Sequence, residues 1–299
     1  MLAWCVLAPV HLRAEPTEAS VVVVLSSSER RYSDALEGVR AAFSAEEPSP
    51  PLRVHVLAGS AGQDTLADVL VDASPRVVIA LGTAALKAAR AGAGDTPLVV
   101  GLSLATESAA RKDAVVVSME FPVRVQLEWL HRVLPKVRNV GVLYDPAANA
   151  ERVALAEREA SRLGLKLVRG EVKRPEDIPH ALRILENQID VLWGLSDATA
   201  ISPATAKSLL VFSYRNRIPF VGLSDSWVKA GALYALDRDA ADIGRQCGEQ
   251  ALALLRGTRF AAASQPPRTV LYSLNTRAAS HMRTELSSAL LQGARYVHE

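Results

Sequence analysis

Residues 190–225 read DVLWGLSDATAISPATAKSLLVFSYRNRIPFVGLSD and hold two apolar runs separated by a helical pattern. The first run, VLWGL, breaks into Ser196 and Asp197, and the second, IPFVGL, breaks into Ser224 and Asp225. Short apolar runs that flank an amphipathic helix predict buried strands of a parallel α/β sheet. Such sheets bind ligands at the carboxyl ends of their strands, so these two polar strand ends are the first candidates for a site.

A similar pair stands in the first half of the chain. The apolar run at 77–81 leads into Gly82 and Thr83, a helical pattern follows, and the segment PLVVGLS ends at Ser103. This segment resembles PFVGLS at 219–224, because both end in Gly-Leu-Ser. The sequence therefore predicts two similar α/β lobes, each offering polar strand ends.

The rest of the chain alternates between short apolar runs and helical patterns. Alternation from residue 21 to 118 predicts one parallel sheet covered by helices on both faces, and alternation from 121 onward predicts a second. A helix over about 277–291 is expected to close the chain. The fold class that we predict is α/β, with two lobes.

Composition excludes several classes of protein. Apolar residues make up 49% and charged residues 22%, as in ordinary globular proteins, and the net charge of +2 does not indicate a nucleic-acid surface. No apolar run reaches the length of about 18 residues that a spanning helix needs. Cys5 and Cys247 are too far apart for a Cys-x-x-Cys metal site, and Cys247 is expected in the core.

The first 14 residues form a short apolar segment that ends at Ala14, before a polar stretch. We favour a truncated secretory signal over residues 1–19, cleaved after Ala14, although the basic segment that normally comes first is missing. The alternative is a simple apolar tail. A lipidated Cys5 is disfavoured because Trp4 is too large for the preceding position.

Polar groups at the strand ends could contact a small solute. Asp197 and Asp225 could accept hydrogen bonds from an ammonium group or could cap the following helices. Thr83 could bind a carboxylate or act as a cap, and Tyr144 could contact the ligand or lie at the rim. The predicted ligand-binding residues share a place at or just after a strand end: Ser27, Thr83, Ser103, Tyr144, Ser196, Asp197, Thr199, Ser224 and Asp225.

Enzymatic patterns are missing from the sequence. It has no Gly-x-Ser-x-Gly elbow, phosphate-binding glycine loop or His-Glu-x-x-His, and its six histidines stand in separate contexts. We therefore expect no catalytic residues, no cofactor and no metal. An α/β enzyme, which would have to turn over a substrate, is the least favoured reading.

Five segments carry a resemblance to a known family: NVGVLYDP at 139–146, SDAT at 196–199, SDSWVKAGAL at 224–233, IGRQCGE at 243–249 and LNTRAA at 274–279. Together they resemble the ABC-transporter substrate-binding proteins of the tryptophan/tyrosine type. The resemblance covers about residues 20–295 and is most specific over 139–258.

The resemblance implies the type I periplasmic-binding fold, with two Rossmann-like lobes joined by three hinge crossings. By position these crossings fall near 118–121, 235–238 and 269–274. Lobe 1 is then 20–120 plus 237–270, and lobe 2 is 121–236 plus 271–299.

The resemblance also implies a function. A monomeric periplasmic protein would capture a small polar solute in the cleft between its lobes by hinge closure and deliver it to an inner-membrane ABC permease. The alternative is a sensor or accessory protein on the same fold, which would signal to a membrane partner.

The sequence departs from the family after the Gly-Leu-Ser of the first lobe. The family usually has Asp-Pro there and a Gly-Gly-Asn-Val-Thr-Gly stretch later, whereas SLAT stands at 103–106 and RKDAVV at 111–116. Because this loop normally helps to line the cleft, the resemblance does not specify an aromatic amino acid as the ligand.

Overall fold

The computed structural model describes residues 21–57, 61–103, 114–258 and 264–299. The predicted signal segment, with Ala14 and Cys5, and most of the departing loop lie outside the described residues. The chain divides into two compact units. The first holds the described residues up to Ser118 together with Ala240–Gln265, and the second holds Met119–Asp239 together with Pro266–Glu299.

The first unit is built on a parallel sheet. Its strands are β1 (Val21–Leu25), β2 (Leu52–Val56), β3 (Val77–Leu81), β4 (Leu98–Gly101), β5 (Ala114–Val117) and β11 (Ser264–Gln265), in the order β11-β5-β4-β3-β1-β2. Its helices are α1 (Arg30–Phe43), α2 (Ala61–Ala73), α3 (Thr83–Gly92) and α9 (Ala240–Leu255). Every residue of β1 and β3 is buried, as their unbroken apolar runs predict for strands covered on both faces.

Helices α1 and α9 of the first unit pack backbone against backbone. A Cβ added to Gly244 would lie 1.8 Å from the carbonyl oxygen of Ala35, and one added to Gly38 would lie 1.8 Å from that of Ala241. Only glycine permits so close an approach of two helices. Cys247 of α9 is fully buried, as expected for a small core residue, and burial raises the pKa of its thiol.

The second unit holds a larger mixed sheet. Its strands are β6 (Asn139–Tyr144), β7 (Lys166–Glu171), β8 (Val191–Trp193), β9 (Phe220–Gly222), β10 (Tyr234–Arg238), β12 (Val270–Asn275) and β13 (Tyr296–His298), in the order β13-β12-β10-β9-β8-β6-β7. Strands β6 to β10 are parallel, whereas β12 runs antiparallel to β10 and parallel to β13. Its helices are α4 (Val123–Val133), α5 (Pro146–Arg162), α6 (Ile178–Leu185), α7 (Pro203–Asn216), α8 (Asp225–Lys229), α10 (Thr276–His281) and α11 (Ser288–Gly293).

The chain passes from one unit to the other at 118–119, 239–240 and 265–266. The third passage differs from the expected crossing at 269–274. Those residues belong largely to β12, which is hydrogen-bonded on one side to β10 and on the other to β13 inside the second sheet. The chain therefore changes unit before β12 begins.

The predicted terminal helix over 277–291 is wrong, because the structure divides it into α10 and α11. Arg283 adopts the left-handed conformation (φ 54°) and closes α10, and the amide of Thr284 donates to the carbonyl of Ala279. Ser287 then caps α11 by accepting a hydrogen bond from the amide of Leu290. None of the helices in the described parts of the chain is long and apolar enough to cross a membrane.

Candidate functional site

Three neighbouring strands of the first unit end in small polar residues. Strands β1, β3 and β4 are parallel, so Ser27, Thr83 and Ser103 follow them at one edge of the sheet. The hydroxyl oxygens of Thr83 and Ser103 lie 3.2 Å apart. Ser27 is half-buried, and its hydroxyl accepts a hydrogen bond of 3.3 Å from the amide of Glu29. The structure thus places these three residues at a common sheet edge and brings two of them into contact.

The cap of α3 comes from another strand end. The hydroxyl of Ser26 accepts a hydrogen bond of 2.9 Å from the amide of Ala85, in the first turn of α3, whereas Gly82 occupies the N-cap position itself. Thr83 is exposed and bonds to Ser103 rather than capping the helix. The capping role that the sequence left open for Thr83 therefore belongs to Ser26.

The carboxylate of Asp197 is the centre of the strand-end loops in the second unit. It is only 5% exposed and accepts four hydrogen bonds. One oxygen accepts from the amides of Thr199 and Ala200, at 2.9 and 2.8 Å. The other accepts from the amide of Asp145 and the side-chain amide of Asn149, both at 2.8 Å. Asp197 thus ties the end of β6 to the end of β8.

Asp145 and Thr199 belong to the same hydrogen-bond network as Asp197. The carboxylate of Asp145 caps α5 by accepting from the amide of Ala147 and also accepts a hydrogen bond of 3.2 Å from the hydroxyl of Thr199. Ser196, beside them, is exposed. Sequence reasoning did not select Asp145 or Asn149, although the Asp-Pro at the end of β6 is a typical start of a helix and signals the capping role.

Tyr144 lies inside the second unit rather than at a rim. Its side chain is 2% exposed, and its hydroxyl donates a hydrogen bond of 3.0 Å to the carboxylate of Glu171. Burial, together with this hydrogen bond, raises the pKa of the phenol. The ring of Tyr144 therefore presents no open face to a solute in this structure.

Asp225 is held by a lysine and a histidine. Its carboxylate is 2.8 Å from Nζ of Lys229 in the same short helix and 2.6 Å from Nε2 of His298 in β13. Burial alone would raise the pKa of Asp225, but the hydrogen bonds from Lys229 and His298 outweigh it and lower the pKa to about 2. The neighbouring Ser224 shares a hydrogen bond of 2.7 Å with Ser226. Asp225 thus joins α8 to the last strand, β13, and is not part of the hydrogen-bond network around Asp197.

A pocket of about 210 Å³ opens between α1 and α9 in the first unit. It is lined by four apolar residues and by four residues of mixed charge: Ala41, Ala42, Ala45, Leu252, Glu46, Arg245, Glu249 and Arg256. It lies on the helices and includes none of the predicted strand-end residues. Within the described residues, no group of three or more His, Cys, Asp or Glu side chains could hold a metal ion.

A family model described as ABC transporter substrate binding protein matches residues 57–297, most of the chain. The chain belongs to this family of substrate-binding proteins. The resemblance noted in the sequence is thereby confirmed. No curated protein matches the sequence.

Solved structures similar to this substrate-binding protein share its fold. One is the ligand-free, open structure of CD0873, a substrate-binding protein with adhesive properties from Clostridium difficile. It has a TM-score of 0.69 and 18% sequence identity, and the match covers 93% of this chain and 98% of the CD0873 chain. An ABC domain from Streptococcus pneumoniae in complex with L-Trp has a TM-score of 0.54 and 18% sequence identity. The match covers 93% of this chain and 99% of the pneumococcal chain. A conserved domain protein from Vibrio cholerae has a TM-score of 0.54 and 22% sequence identity. The match covers 94% of this chain and 99% of the Vibrio cholerae chain.

At these identities the likeness establishes the fold alone. The predicted type I periplasmic-binding fold, with two mainly parallel α/β sheets, is confirmed.

Proposed function

We propose that this substrate-binding protein is the periplasmic solute-binding component of an ABC importer and captures a small polar organic solute, such as an amino acid. The observation that carries the proposal is the pair of sheets with polar carboxyl edges: the first ends in hydroxyl groups, and the second ends in hydroxyl, amide and carboxylate groups. Membership of a substrate-binding family supports the same reading, and the L-Trp held by the pneumococcal neighbour supports an amino acid as the class of ligand.

The proposed contacts are unequal among the nine predicted residues. Thr83 and Ser196 are exposed at the strand ends and could donate and accept hydrogen bonds directly. Ser27, Ser103, Thr199 and Ser224 would add hydroxyl groups beside them. Asp197 already accepts four hydrogen bonds, and Asp225 is bound by Lys229 and His298, so we propose that both act by holding their loops in place. Tyr144 would support the end of β6 through its hydrogen bond to Glu171.

The proposed mechanism is capture by closure. Solute contacts drawn from both units would favour a closed arrangement of the chain, with the bending confined to the three passages at 118–119, 239–240 and 265–266. The closed, loaded form would then be recognised by an inner-membrane permease. A sensor or accessory protein on the same fold would share the binding step and lack the transport step.

A thermal-shift screen of amino acids, purines and small carboxylates tests the proposal. A ligand present at about 100 times its Kd adds about 2.7 kcal/mol to the free energy of unfolding, which is a readily measured shift. The active compound should bind more weakly to Ser103→Ala and should bind normally to Ser161→Ala. Ser161 is a suitable control because its hydroxyl donates to the Glu157 carbonyl of its own helix, away from the strand ends. Unchanged affinity in Ser103→Ala would remove the first-unit edge from the site, and uptake assays with a deletion strain separate transport from sensing.

A further inference from the structure

Arg238 stands at the carboxyl edge of the second sheet, although sequence reasoning passed over it. It is the last residue of β10, which is parallel to β9 and pairs Tyr234 with Val221. In the same line across the sheet, Trp193 pairs with Val221 and with Val142. Arg238 lies four residues beyond this line and past the end of β9. It is therefore at the same edge of the sheet as the hydrogen-bond network of Asp145 and Asp197.

The guanidinium of Arg238 is partly removed from water. Its Nε donates a hydrogen bond to the carbonyl of Met119, and its Cζ lies 5.8 Å from the centre of the Phe121 ring. Burial lowers the pKa of this group, an effect that the charges of Asp237 and Glu120 oppose. Desolvating a cation is costly unless an opposite charge is nearby.

The two carboxylates whose charges act on Arg238 are each paired with another arginine. Asp237 is 3.4 Å from Nη1 of Arg295, and Glu120 is 2.7 Å from Nη1 of Arg152. In the described parts of the chain, no carboxylate lies within ion-pair distance of Arg238. Among the described residues, Arg238 is thus a partly buried guanidinium without an ion-pair partner, at the edge where parallel sheets bind ligands.

We propose that Arg238 binds the carboxylate of the solute. This inference rests on the proposed function and narrows the ligand to a small organic acid or amino acid. The guanidinium presents its donors as a planar fork that matches a carboxylate, and Nε is already used by Met119, so the Nη groups are the donors for the solute. The contacts with Met119 and Phe121 hold the fork in a fixed orientation, which reduces the side-chain entropy lost on binding.

The test compares each L-amino acid that binds with its primary amide, which has the same side chain and ammonium but no carboxylate. Isothermal titration calorimetry would measure both compounds against the wild type, Arg238→Gln, Arg238→Lys and the control Arg132→Gln. Arg132 is matched because its guanidinium also lies over an aromatic ring, that of Trp129 at 4.6 Å, but on the exposed end of α4.

We expect the wild type to bind the acid roughly 10- to 100-fold more tightly than the amide, the range that one charged hydrogen-bonded contact gives. Arg238→Gln should remove most of this preference by weakening the acid alone, and Arg132→Gln should leave it unchanged. Arg238→Lys keeps the charge and loses the fork, so it should lose part of the preference. It also keeps the test valid should Arg238→Gln fold poorly.

Other outcomes would overturn the proposal. Equal weakening of acid and amide in both Arg238 variants would show that Arg238 only orders the chain around Met119. Tight binding of an uncharged or purely cationic solute, unaffected by the variants, would refute a carboxylate ligand while leaving the solute-binding function intact. Failure of the wild type to bind any small molecule would refute both.

Discussion

Asp197 shows how a residue selected for its charge can serve through its hydrogen bonds. Its carboxylate satisfies three backbone amides and one side-chain amide, contributed by the loops after β6 and β8. A buried donor that loses its acceptor costs the free energy of its desolvation, about 1–3 kcal/mol for each group. The residue therefore shapes the polar edge of the sheet whether or not it touches a ligand.

Replacing Asp197 with alanine should lower the free energy of unfolding by about 2–4 kcal/mol, because several buried amides lose their acceptor together. Urea denaturation of the purified protein would measure the change. Asp68→Ala, at an exposed position of α2, is the control and should stay within about 0.5 kcal/mol of the wild type. An Asp197→Ala protein as stable as this control would show that the hydrogen bonds are not formed.

Asp225 should contribute stability that depends on pH. Its pKa is lowered to about 2 in the folded protein, so its contribution is present above the ordinary value near 3.8 and is lost as the pH falls toward 2. We expect Asp225→Asn to cost about 1–2 kcal/mol at pH 7 and the difference from the wild type to shrink below about pH 4. Chemical denaturation at pH values from 7 to 2.5 would follow it.

The control for Asp225 is the pair Arg30–Asp34, whose atoms are 3.8 Å apart on an exposed helix surface. Asp34→Asn should change stability little at any pH, because exposed ion pairs are worth about 0–1 kcal/mol. A difference between wild type and Asp225→Asn that is constant across the pH range would mean that the charge of Asp225 is not responsible.

The partners of these residues set the limit of sequence reasoning at the residue scale. A carboxylate after a buried strand is recognisable from local sequence, which is why Asp197 and Asp225 were selected. Asn149 and His298 come from positions 48 and 73 residues away, and nothing local marks them as partners. Arg238 was missed for another reason, since a charged residue at a strand end is ordinary until the pairing of its neighbours is known.

At the scale of elements, the contact between α1 and α9 is the most sensitive to substitution. The two helices approach so closely that a methyl group at position 244 would overlap the carbonyl of Ala35. Such a clash involves backbone on both sides, so no side chain can rotate to relieve it. The helices would have to separate and lose packing along their length.

We expect Gly244→Ala to lower the free energy of unfolding by about 2–3 kcal/mol, the usual effect of overpacking, although alanine is the better helix former. Gly92→Ala is the matched control. Its added Cβ would meet only the flexible end of Leu70, at 3.2 Å, so the change should be small or stabilising. Thermal unfolding followed by circular dichroism compares the two, and equal stability of both variants would contradict the close contact.

The sequence predicted most elements well because their signals are local. Unbroken apolar runs rich in β-branched residues, such as β1 and β3, predict buried strands. The Asp-Pro at 145–146 marks the first turn of α5. The tail was harder to predict, because an amphipathic pattern does not show that Arg283 turns left-handed. The short β13 depends on pairing with β12, a tertiary contact that its own three residues do not encode.

For the whole molecule, the predicted fold class is confirmed and the ligand is not determined by sequence. The fold follows from repeated strand–helix units, whose pattern survives extensive substitution, and it is shared with structures at 18–22% identity. Ligand identity depends on a few side chains, which the strand–helix pattern does not specify. Binding contacts can change while the sheets stay the same.

Closure should be visible in solution. If the solute is held by strand ends of both units, saturating ligand should reduce the radius of gyration measured by small-angle X-ray scattering, because closed forms become the dominant population. Arg132→Gln, which alters an exposed helix end, should show the same reduction. An unchanged radius at saturation, with binding confirmed independently, would mean that the solute is captured by one unit alone.

The central claim, that this chain is a solute-binding protein, is tested most directly by titrating the purified protein with the compound that gives the largest thermal shift. Isothermal titration calorimetry should show saturable binding of one molecule per chain, weakened in Ser103→Ala and retained in Ser161→Ala. Absence of saturable binding for every compound in the amino-acid, purine and carboxylate panel would contradict the account.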